Sequence, residues 1–481
     1  MQLKGKYSVM MLLAVLLGAC GKGFLKQQPD QSTETNRAIR DLPGLRAAIN
    51  GVYSLMQSES YYGRTMSLLP DLESDNSFIS VINSNRYRNQ DQYIVTANDT
   101  YTADTWNQLF RVVANANMVI MKGPYVSLLP SLTDSLEAVR IVAEAYAVRA
   151  LAFFDLARLY AQPYNYTVTA THMGIPIVTV TDINAVQSPS RSNMKDTYTQ
   201  ITRDLTMAIE RFQASRNTVF SSGHFNLYAT KALLARVLLY KEDWAGAAAF
   251  ADDVIRSNVY ALLPNDKLVS NFKITGNGET VFEVINTTVD NRNTDALSYM
   301  FSQDGYGDIL ATDNLYNIYA PGDVRQNFLK KGKRSGNGGE DPANIITKYS
   351  DVTTFTESIK VMRLSELYLI RAEALAHLNR EEEARADVNT IAMRSDSSAL
   401  PVTASGQALL DAILLERCKE LAFEGHRLFD LTRTKRSFTK YLASEKNISV
   451  VYPSTKVILP IPQRELDANP NIRNQQNEGY N

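Results

Sequence analysis

The pattern of apolar and polar positions between residues 232 and 255 predicts two helices joined by a tight turn. Apolar residues dominate from Ala232 to Tyr240, three charged residues follow, and alanines then recur at helical spacing from Trp244 to Ile255. The small alanine side chains would let the two helices approach closely where they cross. The same arrangement returns at an offset of 137 residues, over 367–376, 379–381 and 384–391. The sequence therefore predicts a repeated helical hairpin.

Both hairpins resemble tetratricopeptide (TPR) units, which stack because a single hairpin cannot bury its apolar face alone. Residues 144–160 and 197–212 predict a degenerate third unit whose turn is enlarged by residues 161–191. Prolines and a glycine prevent that insertion from forming one continuous helix, and the apolar run around Ile175 suggests an extended piece packed on the bundle. TPR-like hairpins are thus expected at about 137–257 and 361–395.

Further helices are predicted at 41–56, 101–121 and 409–425, and Gly425 is the expected cap of the last one. Two other stretches, about 61–101 and 270–350, are polar and loop-rich, with a strand predicted at 280–285. Long loops in a compact protein usually carry function or are disordered. The predicted fold class is mainly α, with TPR-like helical hairpins and an irregular, loop-rich second half that contains short strands.

The N-terminus has the pattern of a lipoprotein signal peptide over residues 1–19. Two lysines precede an apolar run, and Leu17-Gly18-Ala19-Cys20 has the small residues of a lipoprotein cleavage box. The apolar run is about half as long as the roughly 20 residues that a membrane-spanning helix needs. Lipidation of Cys20 would anchor the mature chain, and residues 20–35 are predicted to form a flexible tether. An ordinary signal peptide with an incidental cysteine is the alternative.

Charge and cysteine content narrow the possible partners. The full chain has a formal net charge of −1, which becomes −3 when residues 1–19 are removed. A chain without excess positive charge has no field that attracts nucleic acid or an anionic membrane surface. With Cys20 lipidated, Cys418 has no disulfide partner, and its helical surroundings predict a small core residue rather than a nucleophile. We therefore expect membrane contact through the lipid anchor only, and no nucleic-acid partner.

Motifs of common catalytic sites do not occur in the sequence. The four histidines, His172, His224, His377 and His426, do not have the spacing of a zinc site. The nucleotide-binding patterns GxGxxG and GxxxxGK[ST] and the GxSxG nucleophile elbow are missing too. A glycosidase pair of carboxylates stays open as an alternative, because 51 acidic residues offer many pairs. We expect no catalytic residues, no metal and no cofactor.

Acidic and basic side chains alternate at helical spacing in the C-terminal half. This pattern is typical of ion pairs between helices and of helix caps rather than of catalysis. Binding of a partner's peptide in a TPR groove is the alternative. The residues concerned are Glu366, Arg371, Glu373, Glu416, Arg417, Glu420, Glu424, Arg427 and Asp430.

Several motifs follow one another in a fixed order along almost the whole mature chain. They are Gly51-Val52-Tyr53, Ala114 to Asn117, Arg149 to Tyr160, Gly174 to Val178, Lys231 to Ile255, Arg363 to Ala374, Glu420 to Leu431 and Leu459 to Pro470. In this order they resemble the SusD/RagB lipoproteins of the Bacteroidota outer membrane, most specifically in the C-terminal motifs within 407–481. The resemblance implies one SusD-like domain over 36–481, built as a right-handed superhelix of TPR-like hairpins that carries the irregular half.

The resemblance also implies that the protein is the substrate-capturing lid of a TonB-dependent (SusC-like) transporter at the cell surface. Sugars present polar rims and apolar faces, so their sites pair aromatic platforms with side chains that hydrogen-bond hydroxyl groups. Both loop-rich stretches supply such residues, although ordinary loop packing is the alternative for each of them. The candidate ligand-binding residues are Asp75, Asn76, Arg86, Tyr87 and Asn89 in the first stretch and Tyr299, Phe301 and Tyr306 in the second.

These observations lead to one hypothesis and three alternatives. The hypothesis is a non-enzymatic, surface-exposed outer-membrane lipoprotein that binds an oligosaccharide and delivers it to a SusC-like transporter. The alternatives are a peptide as ligand, a TPR scaffold of the envelope without a small ligand, and a lipid-anchored glycoside hydrolase.

Overall fold

The computed structural model describes residues 39–126, 131–180, 188–443 and 446–480. The predicted signal peptide, Cys20 and the predicted tether lie outside the described residues. Within the described ranges, every helix is too short or too polar to span a lipid bilayer.

Helices dominate the fold, as predicted. The sixteen α-helices of the described ranges are α1 Leu42–Met56, α2 Thr65–Leu72, α3 Arg88–Asp91, α4 Thr100–Val126, α5 Leu132–Tyr160, α6 Met194–Ser215, α7 Leu227–Tyr240, α8 Trp244–Arg256, α9 Leu268–Phe272, α10 Leu297–Phe301, α11 Asp313–Asn317, α12 Leu364–His377, α13 Glu381–Ser395, α14 Gly406–Leu421, α15 Arg427–Arg433 and α16 Gln463–Ala468.

The predicted hairpins are confirmed as α7–α8 and α12–α13. Helix α7 begins after Asn226, whose side chain accepts hydrogen bonds from two backbone N–H groups of the first turn, at 2.9 Å each. Asp243 caps α8 by accepting from the Gly246 N–H at 3.0 Å, so the charged triplet of the sequence forms the turn. Ala235 and Ala247 are completely buried where the two helices pack together, which confirms the close crossing.

The helices pack in chain order. Consecutive helices contact each other from α4 through α5, α6 and α7 to α8. Helix α12 packs on α8, and α13 and α14 pack on α12. Helices α5 and α6 form the degenerate third unit, although α5 starts twelve residues before the predicted Glu144. One apolar core that runs from Ile39 to Ile472 joins these helices to the irregular segments.

Short antiparallel strands hold the irregular segments together. A four-stranded sheet has the order β1 (Ser77–Ile79), β5 (Ile309–Ala311), β7 (Ala343–Ile346) and β6 (Leu329–Gly332). Three two-stranded pairs are β2 (Met173–Pro176) with β3 (Arg191–Asn193), β4 (Thr280–Val284) with β8 (Ile359–Arg363), and β9 (Phe438–Lys440) with β10 (Ile448–Val450). Since β1 pairs with β5, the two loop-rich stretches of the sequence lie side by side.

Two expectations about local structure are wrong. Residues 65–72 do not form a loop but the buried helix α2, because Met66, Leu68 and Leu69 enter the core. Helix α14 ends at Leu421 and not at Gly425. The carboxylate of Asp71 in α2 accepts the backbone N–H groups of Phe423 at 3.0 Å and of Gly425 at 2.9 Å, and these bonds draw the chain out of the helix.

The alternating charged residues of the C-terminal half all form ion pairs, as their spacing predicts. The largest cluster surrounds Arg363, whose guanidinium donates to Glu279, Glu420 and Glu424 at 2.6 to 2.8 Å. All four side chains are buried, and the arginine therefore ties β8 to the segment before β4 and to the end of α14. Breaking such a buried cluster on one side leaves uncompensated charge, which is strongly destabilising.

Candidate ligand-binding face

Four side chains, one from helix α10 and three from loops, form a continuous row among the irregular segments. The guanidinium of Arg86 lies 3.8 Å from the ring centre of Tyr306 and donates to its hydroxyl at 2.8 Å. The ring of Tyr306 meets that of Tyr299 edge to face at 4.7 Å, and Tyr299 lies 6.1 Å from Phe355. All four side chains are half-buried, so each contacts its neighbours and keeps part of its surface open. We call Arg86, Tyr306, Tyr299 and Phe355 the aromatic row.

Helix α10 and the turn after it position the two tyrosines. Tyr299 lies in α10, and its carbonyl oxygen accepts from the Tyr306 N–H at 2.8 Å. Gly305 allows this turn, because a Cβ at that position would lie 2.6 Å from the carbonyl oxygen of Tyr299. This backbone hydrogen bond brings the two tyrosines close enough for their rings to meet.

Arg334 joins the loop that carries Arg86 to the loop that carries Tyr306. Its guanidinium donates to the Ile82 carbonyl at 2.9 Å and to the Tyr306 carbonyl at 2.7 Å. Burial lowers the pKa of Arg334, and the neighbouring carboxylates of Asp308 and Glu340 partly offset this shift. The hydrogen bonds of Arg334 thus form a scaffold that holds the two loops of the row together.

Asp308 belongs to the same scaffold. Its carboxylate accepts the backbone N–H of Ser84 at 3.1 Å and also the hydroxyl of Ser84. Burial raises the pKa of Asp308, although these hydrogen bonds oppose the shift. Both carboxylate oxygens are used to hold the loop of residues 80–86 in place.

Phe355 is presented by a turn built around Asp351. The Asp351 carboxylate accepts backbone N–H groups from Thr353, Thr354 and Thr356 at 2.8 to 3.1 Å. Burial alone would raise the pKa of Asp351, but the hydrogen bonds from the threonines hold it well below its usual range. Phe355 itself has a positive φ of 56°, a backbone conformation that bulky residues rarely adopt. Phe355 is not among the residues predicted from the sequence, and the Asp-Val-Thr-Thr turn pattern is the local signal for it.

Tyr87 is not an open stacking platform, and this expectation is wrong. Its ring is completely buried and stacks on Tyr101 at 4.1 Å. Its hydroxyl accepts from Arg64 Nε at 3.0 Å and forms a hydrogen bond with Thr65 at 2.7 Å. Because both ring faces and the hydroxyl are engaged, Tyr87 anchors its loop to α2.

Three other candidates also have structural roles. Phe301 is 1% exposed and packs on Phe423, and Asn76 is 2% exposed with its amide donating to Asp71 at 2.7 Å. Asp75 forms a two-pronged ion pair with Arg427 at 2.7 and 2.8 Å. Burial keeps Phe301 and Asn76 from direct ligand contact in this conformation, whereas Asp75 is half-buried and stays a candidate.

Of the eight candidates, the structure brings Arg86, Tyr299 and Tyr306 together. Asn89 is exposed on the short helix α3, next to the loop that carries Arg86. The row therefore keeps three predicted residues and gains Phe355 as a fourth.

A groove of about 440 Å³ lies on the helical half, between α8, α12 and α13. Arg371 stands at its centre and donates to Asp387 at 2.7 and 2.8 Å and to Asp252 at 2.6 Å. The arginine thus ties three helices together, which agrees with the structural interpretation of the charged residues.

Cys418 is buried against Asn76, and burial raises the pKa of its thiol to about 12. A thiol that stays protonated at neutral pH is a poor nucleophile, as expected for a core residue. In the described ranges, no three side chains of the His, Cys, Asp and Glu types are grouped so that they could hold a metal ion.

Two family matches cover much of the sequence. Residues 343–480 match the SusD family, and residues 23–239 match a family described as starch-binding and associating with the outer membrane. Among curated proteins, SusD-like protein P2 of Formosa agariphila is 24% identical, with 99% of this chain and 100% of that protein covered.

Solved structures share the fold over nearly the entire chain. A putative sugar binding protein from Bacteroides vulgatus superposes with a TM-score of 0.82 at 28% identity, covering 92% of this chain and 100% of that one. A SusD superfamily protein from Bacteroides thetaiotaomicron gives a TM-score of 0.80 at 26% identity, with coverages of 90% and 99%. These matches in sequence and in fold support a SusD-like family protein.

Proposed function

We propose that the protein is a surface-exposed outer-membrane lipoprotein that binds an oligosaccharide at the aromatic row and delivers it to a SusC-like, TonB-dependent transporter. The description of the matched family as starch-binding and outer-membrane-associated supports the ligand class and the location. The lipoprotein cleavage box that ends at Cys20 supports the anchor.

The observation that carries the proposal is the geometry of the aromatic row. Tyr306 and Tyr299 offer partly open aromatic surfaces next to Arg86, whose guanidinium has donors suited to hydroxyl groups. Stacking uses the apolar face of a sugar ring, and the charged donor uses its polar rim. Since Phe355 extends the row beyond Tyr299, the surface fits a chain of sugar rings better than a single one.

We propose capture rather than catalysis, and the environment of Asp308 supports this proposal. A glycosidase needs two carboxyl groups facing the scissile bond. Asp308 has a raised pKa, as a general acid would, but both of its oxygens are engaged by Ser84.

For delivery, we propose that loops of the lipoprotein and of the transporter enclose the ligand. The lipoprotein then swings aside on its anchored side when the transporter opens.

The test is calorimetry of the protein with a panel of plant, host and microbial oligosaccharides and of peptides. Replacing Tyr299 by alanine should weaken binding of the recognised oligosaccharide by about 1 to 3 kcal/mol, by analogy with other aromatic stacking surfaces. The matched control is Tyr125→Ala, since Tyr125 is 77% exposed on α4, where it is not part of the row.

Equal affinities of the wild type and of Tyr299→Ala for every bound oligosaccharide would refute the row as the site. Arg371→Ala should lower stability while leaving affinity unchanged, because it breaks the tie between three helices. If Arg371→Ala alone abolished binding, the ligand would lie in the helical groove and a peptide or scaffold function would be favoured. Turnover of any glycan in the panel would favour the hydrolase alternative.

A further inference from the structure

A second cavity, of about 200 Å³, lies on the helical half between α7, α8, α12, α14 and α15. It is separate from the aromatic row, none of whose four residues lines it. The side chains of its wall that matter for the argument are Asn165, Glu242, Trp244, His377, Gln407 and Lys435. We call this space the helical cavity.

One wall of the helical cavity is a rigid aromatic pair. The rings of Trp244 and His377 stack at 3.9 Å with an angle of only 10° between their planes. Trp244 is half-buried, whereas Trp106, the other tryptophan of the chain, is 1% exposed in the core. His377 covers one face of the indole, and the part of Trp244 that stays exposed is an apolar surface of the kind that a sugar ring prefers.

A carboxylate and a basic side chain line the cavity together with this aromatic pair. The Asn165 amide donates to Glu242 at 2.6 Å and to the Arg433 carbonyl at 2.8 Å, so that its orientation is fixed. Lys435 is exposed and forms no ion pair with any residue in the described ranges. The cavity therefore offers a carboxylate acceptor and a cationic donor together with an aromatic surface.

The floor of the cavity is electrically balanced. Arg433 donates to Glu373 at 2.8 Å and to Asp430 at 2.9 Å, so its charge is compensated within the protein. The hydroxyl of Tyr240 and the side-chain oxygen of Asn165 are buried without hydrogen-bond partners in the described structure. Tyr240 and Asn165 both line the cavity, so these two polar atoms can bond a ligand that enters it.

We propose that the helical cavity is a second carbohydrate site, which takes one uncharged sugar ring stacked on Trp244. The ring's hydroxyl groups are bonded by Glu242, Gln407 and Lys435 and by the unpaired atoms of Tyr240 and Asn165. Its small volume limits it to one ring, in contrast to the open aromatic row. A balanced floor favours a neutral sugar over an anionic one, because an anion would face Glu242 and Glu373 without a surplus of positive charge.

Tryptophan fluorescence tests the proposal directly, because Trp244 is the partly exposed one of the two tryptophans. The full mature protein in detergent micelles is titrated with the methyl glycosides of glucose, galactose, mannose, xylose and N-acetylglucosamine. We expect a saturable change in emission with at least one of them. Lys435→Gln should raise the dissociation constant about tenfold, as expected for a lost hydrogen bond to a charged group.

Two variants separate this site from the aromatic row. Trp244→Phe should abolish the fluorescence change, whereas Tyr299→Ala should leave it intact even where it weakens oligosaccharide binding in calorimetry. The proposal is overturned if none of the five glycosides gives a saturable change, if the change persists in Trp244→Phe, or if Lys435→Gln binds as tightly as the wild type. Since Lys435 is exposed, that variant keeps the test valid if Trp244→Phe fails to fold.

Discussion

At the scale of single residues, Tyr87 shows how a side chain next to a ligand surface can serve only the fold. Its backbone is in the left-handed region, with φ at 56°, and its hydroxyl joins Arg64 and Thr65. The guanidinium of Arg64 also donates to the carboxylate of Asp295, which lies close to α10. Tyr87 thereby fixes the position of the neighbouring Arg86 relative to the helix that carries Tyr299.

Replacement of Tyr87 should act on stability. Tyr87→Ala removes a fully buried ring and should lower the free energy of unfolding by about 3 to 5 kcal/mol. Tyr87→Phe keeps the ring and should cost about 1 to 3 kcal/mol through the lost hydrogen bonds. Urea unfolding measures both values. An unchanged unfolding midpoint for Tyr87→Ala, combined with a loss of oligosaccharide affinity, would restore Tyr87 as a ligand contact.

His426 predicts a pH dependence of stability. The side chain is buried near Arg158, Arg236, Arg363 and Arg417, and burial followed by these positive charges lowers its pKa far below the usual range. Below about pH 6.5, the unfolded chain binds a proton at His426, whereas the folded chain leaves this imidazole neutral. The stability that depends on neutral His426 is therefore present above that pH and is lost as the pH falls.

Urea unfolding of the wild type and of His426→Gln at about pH 7.5 and about pH 5.5 should reveal this loss. The wild type should lose roughly 1 kcal/mol more than the variant between the two values. The comparison is necessary because Asp71, whose pKa burial raises to about 6, acts in the opposite direction in both proteins. Equal losses in the two proteins would show that His426 is protonated in the folded state.

At the scale of secondary-structure elements, the crossing of α7 and α8 depends on small side chains. Ala235→Arg would force a charged side chain into a completely buried position and should destabilise the protein by more than about 3 kcal/mol. Ala249→Arg is the matched control, because Ala249 is exposed on α8. Thermal unfolding should separate the two variants. Equal melting temperatures would show that the hairpin is not tightly packed.

The elements that the sequence predicted well are those with strong local patterns. Helical periodicity and the Asp243 cap define the hairpins, and each follows from neighbours in the sequence. The end of α14 could not be predicted in this way. It depends on Asp71, which lies more than 350 residues away from Gly425 in the sequence and approaches it only in the folded chain. A glycine cap was the best local interpretation, and a tertiary contact overrides it.

The candidate site was predictable in composition but not in arrangement. Aromatic and polar residues in the two loop stretches indicated the correct region, which β1 and β5 bring together. Which rings stay open depends on neighbours that the sequence cannot identify. Tyr87 and Tyr299 have the same side chain, yet the one in the more polar segment is completely buried against Tyr101 and the other is half-open beside Tyr306.

At the scale of the whole molecule, the proposed function requires the chain to be attached to the membrane. The thiol of Cys20 is the expected attachment point. Cys20→Ser should therefore leave the fold intact and either release the protein from membranes or stop its processing. Cell fractionation with a labelled fatty acid measures both effects. A variant that stays membrane-bound and still incorporates the label would disprove the lipoprotein assignment.

The central claim is that the aromatic row captures an oligosaccharide for import. Its most direct test is uptake of the oligosaccharide selected by calorimetry, carrying a fluorescent label, into cells that lack this protein and are complemented with variants. Wild type and Tyr125→Ala should restore uptake, whereas the double variant Tyr299→Ala/Tyr306→Ala should not, at equal amounts of protein on the cell surface. Full uptake with the double variant would contradict the account.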